Sequence, residues 1–139
     1  MIEKMLFNQT MSLMEKGLDT ASLRNSVFAN NLANVDTPGF KRSDVVFEDE
    51  LRKAIAGKQK IEGWVTNEKH IPIGGRSAAD VSPKVVLRND TSMRNDGNNV
   101  DIDREMSALA KNTIMFTTVT QLLNGELSKL KSAIFEGRR

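Results

Sequence analysis

The chain has 139 residues, of which 39% are hydrophobic and only 5% aromatic, so it suits one domain or two small ones packed mainly through aliphatic side chains and methionine. Its 20 Lys and Arg residues against 18 Asp and Glu residues give a net charge of +2, without the basic cluster expected of a nucleic-acid-binding surface. The lack of cysteine excludes disulfides, thiolate metal sites and cysteine nucleophiles. No apolar run reaches the roughly 18 residues of a membrane span.

A long amphipathic helix is predicted for the first segment, residues 1–36. Its apolar stripe contains Phe7, Met11, Met14, Leu18, Ala21, Phe28 and Leu32. A second strip contains Ile2, Leu6, Leu13 and Val27, roughly 110° around the helix. The two strips form either one broad core face or two faces with different neighbours. Asparagine is a weak helix former, so we expect the end near Asn31 and Asn34 to fray unless external partners hold it.

A fixed bend is predicted directly after this helix, at Thr37-Pro38-Gly39. Pro38 restricts Thr37 to extended conformations and suits the first corner of a turn, and Gly39 accepts a positive φ at the second. The second segment, residues 37–100, continues with a short helix at Phe47–Ala56 that Gly57 ends. Strand candidates follow at Trp64–Thr66, Ile71–Ile73 and Lys84–Arg88, so this segment is expected to be small, irregular and partly β.

The third segment, residues 101–139, is predicted to be a coiled-coil helix that pairs with the first. Asp101 or Asn99 is the candidate N-cap, and Asp103 and Glu105 place negative charge in the first turn, where the helix dipole favours it. One heptad series contains Ile102, Leu109, Phe116, Leu123 and Leu130. The companion series contains Met106, Thr113, Thr120, Leu127 and Ile134. Met115, Val119 and Leu122 lie off this seam, which leaves more apolar surface than one partner helix can cover.

The sequence shows no convincing set of catalytic or metal-binding residues. His70 is the only histidine, which makes a structural or surface role the simplest interpretation. The stretch around Asp96-Gly97 resembles a calcium loop, but an EF-hand alignment places Arg94 among the ligands. A tight turn followed by a helix cap explains the same residues more simply. We therefore expect neither catalysis nor a cofactor.

Two continuous motifs stand out at the ends of the long helices. The first is Ala29-Asn30-Asn31-Leu32-Ala33-Asn34 followed by Thr37-Pro38-Gly39-Phe40-Lys41-Arg42, and the second runs from Met93 to Met106. In this order they resemble a known family, the axial proteins of the bacterial flagellum and, among them, the basal-body rod proteins of the proximal type. The positions that match the family motifs are Asn31, Asn34, Thr37, Pro38, Gly39, Phe40, Asp96, Gly97, Asn98, Asn99, Val100 and Asp101.

The resemblance implies a structural subunit of the periplasmic rod, which transmits torque and lines the export channel. Such subunits pass through the flagellar type III export apparatus, and the N-terminus of this chain indeed lacks the apolar core of a cleavable signal peptide. The implied partners are the adaptor protein FliE, the companion rod protein FlgC, the export gate and copies of the chain itself.

The competing interpretation is a cytosolic helical adaptor or chaperone-like protein that binds one partner with the same helices. The Pro-Gly turn joined to an irregular insert favours the rod subunit, because a plain adaptor needs neither feature. On either interpretation, two long helices with surplus apolar surface need burial by another molecule. We expect the ends of the isolated subunit to be partly disordered and to fold on incorporation.

Overall fold

The computed structural model describes residues 9–57, 81–90 and 94–136. The described elements are helix α1 (Gln9–Ala33), strand β1 (Ser43–Val46), helix α2 (Glu48–Gly57), strand β2 (Lys84–Leu87) and helix α3 (Ile102–Glu136). This mainly helical architecture with a small sheet between two long helices confirms the predicted fold class. The predictions for His70, for the strands at Trp64–Thr66 and Ile71–Ile73, and for the first eight residues of the N-terminal helix lie outside the described residues.

The two long helices pack against each other in opposite directions. Asn112 of α3 hydrogen-bonds to Ala21 and Asn25 of α1, while Glu105, earlier in α3, bonds to Asn31, later in α1. The residue numbers in contact increase along one helix and decrease along the other, so the two helices are antiparallel. The predicted pairing of the terminal helices is therefore confirmed.

The face of α3 that meets α1 differs from the predicted seam in one of its two heptad series. Leu109, Leu123 and Leu130 of the first series are half-buried, as a packing role requires. A second set of buried or half-buried residues consists of Glu105, Asn112, Val119 and Glu126. Each of them directly precedes a residue of the predicted companion series. The apolar pattern missed this series because two of its buried members, Glu105 and Asn112, are polar and are held by hydrogen bonds.

Several predicted seam residues remain exposed on the single chain. Ile102, Met106, Leu127 and Ile134 keep between 47% and 68% of their surface accessible, and Phe116 keeps 38%. Their predicted packing role is therefore not fulfilled against α1. A role in packing against a neighbouring molecule stays a prediction.

Helix α1 has two neighbours, α3 and strand β1. Its buried residues are Thr20, Ala21, Val27 and Asn31, whereas the predicted stripe residues Met14, Leu18, Phe28 and Leu32 are half-buried. Of the second strip, Val27 is buried and Leu13 exposed, while Ile2 and Leu6 lie outside the described residues, so the choice between one broad face and two faces stays open.

The small sheet joins residues on either side of the irregular segment. Strands β1 and β2 are antiparallel, with Val45 opposite Val85 and Ser43 opposite Leu87. The sequence pattern predicted β2 but not β1, whose four residues follow directly on the turn region. Beside the sheet, Phe47, Ala54 and Val81 form a small apolar core with Leu51 packed against it, so α2 lies where the pattern predicted it.

Candidate functional site: a junction between two turns

Two turns that are distant in sequence meet between the long helices. Gly39, in the turn after α1, has φ +73°, and Gly97, in the turn before α3, has φ +77°. The Gly39 N–H donates to the Asp96 carbonyl at 2.9 Å, and the Lys41 Nζ donates to the Gly97 carbonyl at 2.8 Å. We call this region, residues 31–43 and 94–105, the turn junction. Its two positive φ values explain why glycine occupies both positions.

Asn98 is the central residue of the turn junction and is fully buried. Its Nδ2 donates to the carbonyls of Asn34, Val35 and Thr37, each at 2.9 Å. Its Oδ1 accepts from the Val100 N–H at 2.8 Å. One side chain thus bonds three carbonyls of the turn that follows α1 and at the same time shapes the entry to α3.

Asn99 links the turn junction to the sheet. The backbone N–H of Arg88 donates to the Arg42 carbonyl at 2.9 Å, continuing the β1–β2 ladder by one pair. The Arg42 N–H and the Arg88 carbonyl do not bond to each other but to the side-chain amide of Asn99. Its Oδ1 accepts from the Arg42 N–H and its Nδ2 donates to the Arg88 carbonyl, both at 2.7 Å. The sheet, the first turn and the second turn are therefore one hydrogen-bonded unit.

A buried polar cluster fastens the start of α3 to the end of α1. Glu105 is 2% exposed, and its carboxylate accepts from Asn31 Nδ2 at 3.0 Å and from Arg42 Nη1 at 3.2 Å. The Asn31 amide also bonds to both backbone groups of Ser43, at 2.8 and 2.9 Å. A buried carboxylate that is both charge-paired and hydrogen-bonded is satisfied, and removing either partner would leave a costly buried charge.

These contacts correct two expectations. The end of α1 has its partners within the same chain, because Asn31 is buried against Ser43 and Glu105 and Asn34 bonds to the Asn30 carbonyl. Glu105 acts as a buried link between elements, in addition to any effect on the helix dipole. Asp101 is the N-cap residue, since its Oδ1 accepts from the Arg104 N–H at 3.2 Å.

The structure brings most of the predicted motif residues together. Asp96 accepts from the Asn98 N–H, Thr37 Oγ1 donates to Asn34 Oδ1, and Val100 is buried beside them. Pro38 is exposed and Phe40 half-buried at the rim of the junction. The turn-and-cap interpretation of Asp96-Gly97 and Asp101 is what the described geometry shows. Among the described residues, no group of three or more His, Cys, Asp and Glu side chains is placed to hold a metal ion.

Sequence reasoning missed Arg42, Glu105 and Asn112 as structural residues. Arg42 lies at the end of the first motif and Glu105 near the end of the second, so a search for opposite charges within the motifs could have paired them. No local signal marks Asn112, which bonds across the helix pair to the Ala21 carbonyl and to Asn25 Oδ1, each at 2.8 Å. Its own Oδ1 is buried without a hydrogen-bond partner.

A second charged contact ties α1 to the start of α2. Arg24 donates to the Val45 carbonyl and to Glu48 Oε2. This hydrogen bond lowers the pKa of the Glu48 carboxyl below its ordinary value, and partial burial opposes that change. The contact adds a charged tether between α1 and the segment that joins β1 to α2.

The exposed apolar residues of α3 form the other functional surface. Ile114 is 67% exposed, and Met115 and Leu122 are exposed on an adjoining flank. With Ile102 and Met106, they leave apolar side chains on several sides of one helix, which is unusual for a free monomer. None of the helices within the described ranges has both the length and the apolar character to cross a membrane.

A pair of long antiparallel helices, locked at one end by buried polar contacts and apolar on its outer side, is characteristic of a structural subunit that assembles through its helices. The comparisons with known proteins agree with this class. Residues 14–41, which include the first motif, match the family model described as flagella basal body rod protein.

Three relatives extend the match over most of the chain. The flagellar basal body rod protein FlgB of Borreliella burgdorferi is 40% identical over 119 residues, covering 84% of this chain and 88% of the relative. FlgB of Bacillus subtilis is 33% identical, covering 96% and 98%. FlgB of Proteus mirabilis strain HI4320 is 32% identical, covering 99% and 100%.

The chain belongs to the FlgB family of flagellar basal-body rod proteins. The predictions of a structural subunit of the proximal rod and of a place in the flagellar basal body are confirmed at the level of this family. Membership also implies assembly with other rod components and with copies of the chain itself.

Proposed function

We propose that this subunit builds the axial core of the proximal rod with α1 and α3, transmits torque through it and lines the export channel. The observation that carries the proposal is the apolar surface of α3 that α1 leaves exposed, above all Ile114, Met115 and Leu122. Complete burial of such a side chain contributes about 1.5–3 kcal/mol, and because these three are roughly half exposed, covering them contributes about 1 kcal/mol each and favours assembly.

The turn junction supports torque transmission. Load applied along one helix must reach the other without a change in their relative position. The contacts of Asn98, Asn99 and Glu105 cross between the two turns and are directional hydrogen bonds, so sliding or twisting of α1 against α3 breaks them. An apolar contact of equal area would resist such sliding less, because it has no directional preference.

The segments 1–36 and 101–139 are proposed to form this core, and residues 37–100 the part between the helices. The partners in this proposal are the adaptor FliE, the rod protein FlgC, the export gate and further copies of the subunit. The subunit reaches the periplasmic rod through the flagellar export apparatus, without cleavage of a signal peptide. These proposals rest on family resemblance together with the exposed helical surface.

Electron microscopy of basal bodies tests the proposal most directly. A strain lacking the gene is complemented with wild type, with Ile114→Asp or with Gln121→Asp. Both residues are exposed on the outer part of α3, so both variants gain one charge but only the first loses a large apolar side chain. We expect Gln121→Asp to restore rods and motility, and Ile114→Asp to leave membrane rings without rods.

Two further variants separate assembly from folding. Gly39→Val strains the first turn at its positive φ, and Leu123→Asp places a charge on the helix seam. We expect both to block rod assembly more than they reduce the amount of soluble subunit. Normal motility in either strain, or intact flagella without the gene, would contradict the rod function and favour the cytosolic adaptor.

A further inference from the structure

The two edges of the small sheet are treated differently by the surrounding chain. Strand β1 has its outer edge covered: the Asn31 amide bonds to both backbone groups of Ser43, Arg24 donates to the Val45 carbonyl, and Asp44 Oδ1 accepts from the Val45 N–H. Residues 43 and 45 therefore point their backbone groups toward α1, and the alternate residues pair with β2.

None of the described residues pairs with the outer edge of β2. Arg42 and Arg88 form a backbone hydrogen bond, and in an antiparallel ladder every second pair is hydrogen-bonded. The other hydrogen-bonded pairs are therefore Asp44 with Val86 and Val46 with Lys84. Val85 and Leu87 must then direct their N–H and C=O groups away from β1. Within the described part of the chain, these groups have no hydrogen-bond partner.

The side chains along this edge are apolar and exposed. Val85 and Leu87 are 51% and 58% exposed, although Val45, opposite Val85 on the same face, is only 4% exposed. The apolar surface that begins at the buried Val45 thus continues onto exposed side chains of β2. Two strands form a marginal sheet, and an exposed apolar edge of this kind readily accepts another strand.

Charge disfavours a second copy of β2 as that strand. If two copies of β2 paired antiparallel through Val85 and Leu87, Val85 of one copy would lie opposite Leu87 of the other. Lys84 would then lie opposite Arg88, which carries the same charge. Arg88 is already paired with Asp44 at 3.1 Å, whereas Lys84 makes no ion pair with the described residues. A strand that pairs well here carries a carboxylate opposite Lys84.

We propose that β2 receives an extended segment of a neighbouring, different rod subunit as a third strand. That segment bonds to the backbone of Val85 and Leu87, covers their side chains with its own apolar residues and places an acidic side chain opposite Lys84. The proposal rests on the rod function, and it assigns the sheet a role separate from that of the helices.

Hydrogen exchange resolved to single amides tests the pairing. The amides of Val85 and Leu87 are compared between the purified monomer and isolated basal bodies. We expect fast exchange in the monomer and at least about tenfold slower exchange in the rod, as hydrogen bonding in an added strand requires. Fast exchange in intact rods would overturn the strand proposal and leave the rod function standing. Slow exchange already in the monomer would also overturn it, because the edge would then be covered by the same chain.

A pair of variants tests the same edge by assembly. Val85→Pro removes the outward N–H without touching the β1 ladder, while the control Val85→Thr keeps that N–H and a β-branched side chain. We expect Thr to restore motility and Pro to reduce it severely, with equal thermal stability of the monomers. Full motility with Pro would contradict the proposal. So would a disulfide that forms between two copies of a Val86→Cys variant in basal bodies, since it would identify β2 itself as the occupant.

Discussion

Replacement of Asn98 by alanine gives the sharpest test of the turn junction. The Asn98 amide has two protons to share among three carbonyls, and its oxygen accepts one further bond from Val100. That corresponds to about three full hydrogen bonds, each with a net contribution of about 1 kcal/mol. We therefore expect Asn98→Ala to lower the free energy of unfolding by about 3 kcal/mol, a large fraction of the roughly 5–15 kcal/mol typical of a domain.

Urea denaturation followed by circular dichroism measures this change. Asn95→Ala is the matched control, because Asn95 is exposed in the same turn, and its loss should cost less than about 0.5 kcal/mol. Asn98→Asp should be worse than alanine, since a carboxylate would face three carbonyl oxygens without protons to donate. A loss below about 1 kcal/mol for Asn98→Ala would refute the view that this amide holds the two turns together.

Four further predictions concern separate contacts. Gly39→Ala should cost about 1 kcal/mol in urea denaturation, because φ is +73° and no atom obstructs the added methyl group; no loss would contradict the strained turn. Glu105→Gln should cost about 2 kcal/mol, because the largely shielded Arg42 then keeps only Asp90, at 3.8 Å, as an ionic partner; a neutral result would contradict a stabilising role for the Arg42–Glu105 pair. The lowered pKa of Glu48 means that its contribution to stability is present above the ordinary value of 4.5 and is lost as pH falls through the lower folded value. An acid titration of thermal stability should show that loss in wild type but not in Arg24→Met. Asn112→Leu removes a buried acceptor without a partner but also two donated hydrogen bonds, so stability should change by less than about 1 kcal/mol, while cysteine cross-links between α1 and α3 should then report more than one helix register; a single register would show that Asn112 does not set it.

The elements and motifs that depend on local chemistry could be predicted from the sequence. Pro38 and Gly39 act on their own backbone, so the first turn and its positive φ follow from residue type alone. Asp101 caps a helix that begins at the next residue, and Gly57 ends the short helix, for the same reason. The two family motifs were also recognisable, because each is a continuous stretch of sequence.

The contact between those motifs could not be predicted from either one. Asn98 lies more than 60 residues from the carbonyls it binds, and no periodicity connects them. The same limit explains the shifted heptad series on α3. Apolar periodicity marks Met106 as strongly as Leu109, but burial went to Glu105 because Asn31 and Arg42 supply hydrogen bonds there.

The sequence by itself determined two amphipathic helices, the bend after the first and the cap of the second, because turn geometry and helical periodicity depend on neighbouring residues. The tertiary structure alone decided which faces meet. A buried polar group is tolerated only where partners from distant segments converge on it, and Asn31, Asn98 and Glu105 find theirs across the turn junction. Within the described part of the chain, Ile114 and the side chains of Val85 and Leu87 on β2 stay exposed, and these are the surfaces that the proposed assembly would bury.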